Sequence, residues 1–400
     1  MHESFRQRLS SWAEQGRLRR LRDEGSLDSR RAQRDGRELV NFGSNSYLGL
    51  ERHPAVTAAA AAAASESTSS TSSRLICGGS PLLTRLEEET AAWKGSEACL
   101  VLNSGFQANI TLLPALAGRH DRILADRLAH ASLIDGARLS GAELLRFPHN
   151  DLDALEELLK KPSAGMVFVV TESVFSMDGD LPDLPRLAAL CRSYGAFLYL
   201  DDAHGAGICG PEGSGPAHGL GADLLLGTYS KALGSFGAYA CLSAELKDYL
   251  VNSCRGLIYS TALPPAVPAA SLAALAIVRS EEGQALRHRL LALGNELRRL
   301  LRDGGLDIRH DPTPIVPVPC GDEAATLRLA AALAEEGFLC PAIRPPTVPE
   351  GSCRLRLSLT AAHLDRDISE LAAAILRHHP WLRIQNSKFK IQENTSKIPE

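Results

Sequence analysis

The chain has 400 residues, of which 44% are hydrophobic and 22% charged. That composition excludes bulk disorder and coiled coil, and the length predicts two or three domains at roughly 100–200 residues each. Forty-three Lys and Arg against 47 Asp and Glu leave a net charge of −4, which gives no large basic surface for nucleic acid.

The longest apolar run, Ala55 to Ala64, is broken by Thr57. It is half of the about 20 residues a bilayer span needs. The N-terminal stretch Phe5 to Arg22 is polar and Arg-rich, unlike a secretion signal. A cytoplasmic protein is the expectation. Nine cysteines lie at least thirteen residues apart, so no CxxC and no zinc-ribbon spacing exists. They read as small buried thiols in a reducing compartment.

Residues 1 to about 38 read as one amphipathic helix, with Phe5, Leu9, Trp12 and Ala13 at helical spacing, followed by a polar loop. The rhythm then changes. Short apolar runs predict strands at Cys99–Leu102, Arg122–Ala125, Met166–Thr171, Phe197–Leu200, Leu224–Gly227 and Tyr239–Leu242. Helices are expected between them at Phe106–Leu116, Ala131–Ser140, Leu152–Leu159 and Leu184–Tyr194. Nearly continuous apolar strands alternating with helices predict a mostly parallel sheet buried on both faces, an α/β architecture.

From Ala266 to Asp303 the pattern is Leu- and Ala-rich and helical. After Pro312 a smaller unit is expected: strand Ile315–Val318, helix Glu323–Glu336, strand Arg354–Leu359 and helix Asp365–His378. The second strand alternates Leu355, Leu357 and Leu359 with Arg354, Arg356 and Ser358, which predicts a sheet with one wet face. The expected division is 1–45 as N-terminal helix and arm, 46–285 as large domain, 286–383 as small domain and 384–400 as a polar, disordered tail.

Gly205-Ala-Gly207-Ile-Cys-Gly210 matches a dinucleotide fingerprint after a strand. The site would need a helix next and an acidic residue about 20 positions on. Pro211 to Pro216 opens no helix, so the nucleotide reading is set aside.

The stronger constellation surrounds it. The strand Phe197–Leu200 ends in Asp201-Asp-Ala-His204, and Thr228-Tyr-Ser-Lys231 begins where the strand Leu224–Gly227 ends. Ligands of α/β sheets bind at the carboxyl ends of strands. A lysine among small residues there is desolvated, and desolvation makes its amine nucleophilic. A carboxylate and such a lysine on neighbouring strand ends suit pyridoxal 5′-phosphate (PLP): the acid keeps the pyridine nitrogen protonated and the amine holds the aldehyde. Its phosphate needs a helix N-terminus. The turn Asn103-Ser-Gly105-Phe106 before a helix supplies one, and His130 could lie flat on the ring.

These segments resemble the α-oxoamine synthases, a fold-type I PLP family. The resemblance runs through Asn41-Phe-Gly-Ser-Asn45-Ser-Tyr47, Ser73-Arg74, Asn103-Ser-Gly-Phe106, His130-Ala-Ser-Leu-Ile-Asp-Gly136, Glu172-Ser-Val-Phe-Ser176-Met-Asp-Gly-Asp180, Asp201-Asp-Ala-His204, Ser230-Lys231 and Ser260-Thr261-Ala-Leu-Pro-Pro265, in family order. It implies a large PLP domain with a mostly parallel seven-stranded sheet, a small α+β C-terminal domain and a homodimer with shared sites. It implies Lys231 as the Schiff-base lysine, Asp201 at the pyridinium nitrogen, and His204 and Ser176 at the ring hydroxyl. It puts His130 on the ring face, and Thr228, Gly105 and Phe106 at the phosphate. Ser260 or Thr261 would reach the partner's cofactor phosphate. Arg344 would bind the amino-acid carboxylate, with Asn45, Arg22 and Thr347 also in the substrate set.

Tyr259 to Pro265 and Ile343-Arg344-Pro-Pro-Thr347-Val-Pro349 resemble one branch of the family in particular. Its expected reaction joins L-alanine to a pimeloyl thioester, carried on coenzyme A or a carrier protein, in biotin synthesis. A glycine-using relative such as a 2-amino-3-oxobutyrate ligase is the alternative. Many relatives are glycine-rich where this chain has Ser69 to Ser73, which puts that loop's shape in question.

Overall fold

A computed structural model describes residues 2–19, 21 and 25–379. The expectations for Arg22 and for the tail 384–400 fall outside the described residues. No helix among the described residues is long and apolar enough to cross a membrane. The chain forms two compact units. One comprises Ser46–Ser176 and Asp180–His288; the other comprises Met1–Asn45, Met177–Gly179 and Arg289–Glu400.

The first unit is built on seven strands: β1 (Ala98–Leu102), β2 (Arg122–Asp126), β3 (Glu143–Phe147), β4 (Val167–Glu172), β5 (Phe197–Asp201), β6 (Leu224–Thr228) and β7 (Ala238–Leu242). Their order is β1-β7-β6-β5-β4-β2-β3. Only β7 runs against its neighbours. The other pairings are parallel, and Glu172 of β4 stands beside Asp201 of β5. The mostly parallel α/β sheet expected from the sequence is present, with the seven strands that the family resemblance implied.

Continuous apolar sequence follows from burial on both faces. Leu124, Val169, Leu200 and every residue of β6 and β7 are buried. Leu112, Leu113, Leu133 and Ala137, from the helices Gly105–Leu116 and Ala131–Ser140, pack with Leu100, Ile123, Phe168 and Tyr199 in one cluster. Burying each such leucine contributes about 1.5–3 kcal/mol. The strand β3, which the sequence pattern missed, is one of the two sheet edges; its residues are mostly exposed or half-buried. Glu143 and Arg146 interrupt its apolar run, and charges on an edge strand resist pairing with other chains.

In the second unit a three-stranded antiparallel sheet has Cys353–Ser358 at its centre, between Ile315–Gly321 and Ala342–Ile343. Pro317 and Pro319 sit on an edge strand, where a missing N–H costs no ladder bond. The expected wet face of the central strand is a correction. Arg356 and Ser358 are buried, and Arg356 Nη1 donates to Ser358 Oγ at 2.6 Å. Arg354 is paired with Asp178, and Ser358 N donates to Phe42 O at 2.8 Å. The polar side of the strand is therefore covered, and its polar groups are satisfied inside the fold.

The N-terminal stretch holds more than a helix and loop. After the helix His2–Glu14, Arg31–Arg34 and Arg37–Asn41 form an antiparallel pair. The second of these runs parallel to Phe338–Leu339. Met1–Asn45 cluster in the same compact unit as Arg289–Glu400. The long helical pattern from Ala266 breaks at Ser280 into Ala266–Arg279 and Glu281–Asp303. All nine cysteines are free, and seven are buried.

Candidate active site

The candidate residues of the first unit gather at the carboxyl ends of β1, β2, β4, β5 and β6. Asp201 ends β5 and is 6% exposed. Its Oδ1 accepts the amide of Ala203 at 3.0 Å, and its Oδ2 accepts Asn109 Nδ2 at 3.0 Å. Asn109 is held in turn by Ser132 at 2.9 Å and by the hydroxyl of Tyr199, which donates to Asn109 Oδ1 at 2.8 Å. Three buried polar groups therefore fix one carboxylate.

His130 caps the helix Ala131–Ser140, its Nδ1 2.7 Å from Ser132 Oγ. Its amide donates to Glu172 Oε1 at 2.7 Å. Burial above all lowers the His130 pKa; the charge of Asp201 works against that shift and the charge of Lys231 with it. The imidazole is therefore neutral at pH 7. Glu172 is fully buried, and burial followed by the charge of Asp201 pushes its carboxyl well above the usual range. Two carboxylates side by side at strand ends do not both ionise freely, which favours the protonated form of Glu172, with the charge of Lys231 and the His130 amide working against that shift.

Lys231 lies half-buried in the turn after β6, between buried Tyr229 and buried Ala232. The turn closes through Gly234 N to Lys231 O at 2.9 Å and Tyr229 N to Gly237 O at 3.0 Å. Gly234 has φ 61°, and a Cβ there would stand 2.2 Å from the amide of Glu51. Only glycine lets this turn sit so close to its neighbour. Thr228 Oγ1 donates to Gly237 O at 2.7 Å and lies 2.7 Å from Ser230 Oγ.

Ser104 caps the helix Gly105–Leu116 by accepting from Gln107 N at 3.2 Å. The amides of Gly105 and Phe106 precede any intrahelical acceptor. A Cβ at Gly105 would meet nothing within 4 Å, so open space faces this helix start. His204 Nδ1 lies 2.7 Å from the hydroxyl of buried Tyr47. Ser176 is buried in the loop that follows β4. Ser260 Oγ accepts Gln107 Nε2 at 2.6 Å, and Thr261 O accepts Asn103 Nδ2 at 2.9 Å. The structure thus brings Lys231, Asp201, His130, His204, Thr228, Ser176, Gly105, Phe106, Ser260 and Thr261 into one unit.

Among the described residues, the predicted substrate residues Asn45, Arg344 and Thr347 belong to the other unit. Arg344 donates to Gly16 O, and Thr347 Oγ1 accepts Arg19 Nη2 at 3.3 Å. Asn45 is the last residue of that unit's opening segment.

Sequence reasoning gave no role to Asn109, Tyr199, Glu172 and Lys94. Lys94 is fully buried and donates to Asp202 Oδ2 at 2.8 Å and Ser214 O at 2.5 Å. The opposite oxygen of Asp202 accepts Ser173 Oγ at 2.5 Å. Asp202 directly follows Asp201 in sequence. The glycines of Gly205–Gly210 have packing roles. A Cβ at Gly205 would meet Asp202 Oδ1 at 2.1 Å, and one at Gly207 would meet Ala232 Cβ at 2.5 Å. A 3-10 turn, Pro211–Gly213, follows them.

The pattern of the family described as aminotransferase class I and II matches residues 37–375. An 8-amino-7-oxononanoate synthase of Geobacter sulfurreducens is 47% identical over 383 residues, 94% of this chain and 98% of that protein. Among solved structures, an 8-amino-7-oxononanoate synthase from Francisella tularensis has TM-score 0.74 and 27% identity, over 85% of this chain and 97% of that one. A serine palmitoyltransferase from S. paucimobilis, solved with a bound PLP–myriocin aldimine, has TM-score 0.88 and 25% identity, over 95% and 98% of the two chains. Near full-length identity to the first, joined to the strand-end acid, lysine and helix start above, places this chain in the 8-amino-7-oxononanoate synthase family of the class I and II aminotransferase fold.

Proposed function

We propose that the protein binds PLP and condenses L-alanine with a pimeloyl thioester, releasing carbon dioxide and the free thiol and giving 8-amino-7-oxononanoate for biotin synthesis. The observation that carries this reading is the pairing of buried Asp201 with Lys231 on adjacent strand ends, within a chain 47% identical to a named synthase.

The donor set fits the cofactor. The open space at Gly105 faces backbone amides suited to a phosphate, and the Asp201 carboxylate suits a pyridinium N–H. PLP, when bound, supplies an electron sink for a carbanion at the amino acid's α-carbon. Lys231 Nζ would hold the cofactor aldehyde and would move the α-proton of alanine. Asp201, fixed by Ala203 N and Asn109, would meet the ring nitrogen. By resemblance His130 would lie against the ring, and His204 and Ser176 would meet its hydroxyl. Thr228, Gly105 and Phe106 would hold the phosphate. In the overall change alanine's α-proton leaves and its α-carbon bonds to the thioester carbonyl; the C–S bond breaks and the thiolate takes up a proton; the alanine carboxylate leaves as carbon dioxide and a solvent proton takes its place on the α-carbon.

By resemblance we assign Arg344 to the amino-acid carboxylate, since a guanidinium meets it with two parallel bonds. Asn45, Thr347 and Arg22 complete the assigned substrate set. Ser260 or Thr261 serves the partner subunit's phosphate in a homodimer. We place the enzyme in the cytoplasm. The test is a visible absorption spectrum titrated separately with L-alanine and glycine. The reading expects a cofactor band that saturates preferentially with L-alanine. A response chiefly to glycine would replace the substrate, and no band after added PLP would end the reading.

A further inference from the structure

The ring of His149 lies between two buried carboxylates. Its Nδ1 is 3.0 Å from Asp126 Oδ1 and its Nε2 is 2.8 Å from Asp180 Oδ2. Both aspartates are fully buried, and the imidazole meets Phe175 edge-on at 4.3 Å between ring centroids. Asn150 doubles the bridge, its amide donating to Asp126 Oδ2 at 2.9 Å and its side chain to Asp180 Oδ2 at 3.0 Å.

Each carboxylate begins or ends a loop that carries a candidate cofactor residue. Asp126 ends β2; its Oδ1 accepts Leu128 N at 2.7 Å and its carbonyl accepts Ala129 N at 3.1 Å. The next residue is His130. Asp180 closes the loop after β4, its carbonyl accepting Phe175 N at 2.9 Å. Ser176 lies inside that loop. Nothing in the reaction uses His149 itself.

We infer that His149 is a positioning residue: by bridging Asp126 and Asp180, it locks together the two loops that carry His130 and Ser176. The inference rests on the PLP reading. The groups facing the bridge are Asp126 and Asp180, with Asn150 beside them; Arg127 and Arg146 stand by Asp126. The two carboxylates overcome the burial of the ring and raise the His149 pKa to about 9. The bridge is charged through neutral pH and releases as pH rises through that value.

The test compares wild-type holoenzyme with His149→Gln, by the rate of PLP loss and the induced circular dichroism of the bound cofactor, from neutral to alkaline pH. The expected result is about tenfold faster PLP loss in the variant at neutral pH, the worth of one charge-assisted hydrogen bond. Wild type should approach the variant as pH passes about 9. Equal PLP loss and equal dichroism, with only a lower melting temperature, would overturn the inference. Should His149→Gln not fold, imidazole NMR of the wild-type holoenzyme decides. A His149 midpoint near 9, with the His130 amide shifting alongside it, supports the bridge, and an ordinary midpoint refutes it. Wild-type protein that binds no PLP would refute the cofactor reading instead, an outcome distinct from all of these.

Discussion

Replacing Lys94 by methionine isolates its buried ion pair with Asp202. Methionine keeps the length of the stem and deletes the ammonium. At 2.8 Å the pair attracts by about 6 kcal/mol at an effective dielectric constant of 20. The lost ammonium no longer has to be desolvated, which offsets part of this, so a net loss of about 3–5 kcal/mol is expected. The variant also forfeits the bond to Ser214 O and the contact with the Trp93 ring, 4.4 Å from Nζ to its centroid.

Burial already pushes the Asp202 carboxyl upward, with Lys94 and Ser173 pulling it back. Without Lys94 it moves further up. A carboxyl with a raised folded pKa favours the folded state when protonated, so its stabilising contribution fades as pH rises. The deficit of Lys94→Met should therefore shrink on going from pH 8 toward pH 5. Urea unfolding followed by tryptophan fluorescence measures it, with Trp93 packed beside the site. The double variant Lys94→Met/Asp202→Asn should recover much of the loss, because no unpaired charge stays buried. A deficit under about 1 kcal/mol, the range of an exposed pair, or a double variant less stable than the single one, would refute the reasoning.

Asp201→Asn should retain PLP but slow the exchange of alanine's α-proton, followed by deuterium incorporation; unchanged exchange would remove Asp201 from the ring nitrogen. Glu172→Gln should stay within a few-fold of wild type in turnover, because burial and Asp201 already disfavour the ionised form of Glu172 and the amide oxygen can still accept from His130 N. A loss on the scale of general-base catalysis, about 10²–10⁴-fold, would show that the ionised form matters. Leu112→Ala, in the cluster under the helix Gly105–Leu116, should cost about 2–5 kcal/mol in thermal or urea unfolding; a smaller loss would mean the helix start is not held by that packing.

Much of the fold was legible because buried parallel strands announce themselves as apolar runs. β2, β4, β5 and β6 appear nearly residue for residue. The strands Arg31–Arg34 and Arg37–Asn41 were not legible, since three of their nine residues are arginine and their pairing is with each other and with distant Phe338–Leu339. In the site, Asp201 and Lys231 could be read from their strand-end positions and the turns that follow. Asn109 and Lys94 could not. Their partners Asp201 and Asp202 lie 92 and 108 residues away, and nothing local marks a buried amide or ammonium as satisfied. A polar residue on an otherwise apolar helix face, as Asn109 is, was the one available signal.

The Ser-rich loop resolves its own question. Thr71 takes φ 58°, the left-handed conformation glycine would take without penalty. The loop is held by Ser70 Oγ donating to Ala262 O at 2.6 Å and by Ala262 N donating to Ser72 O at 2.9 Å. Thr71→Gly should therefore be neutral or stabilising.

The most direct test of the central claim is product formation. Purified protein with PLP, L-alanine and pimeloyl-coenzyme A, or the pimeloyl-carrier protein, is assayed by mass spectrometry beside Lys231→Ala. The account predicts 8-amino-7-oxononanoate and carbon dioxide in equal amounts from wild type, and none above background from the variant. Product formed at a near wild-type rate by Lys231→Ala would contradict it, as would wild-type protein that binds PLP yet forms no product from either thioester.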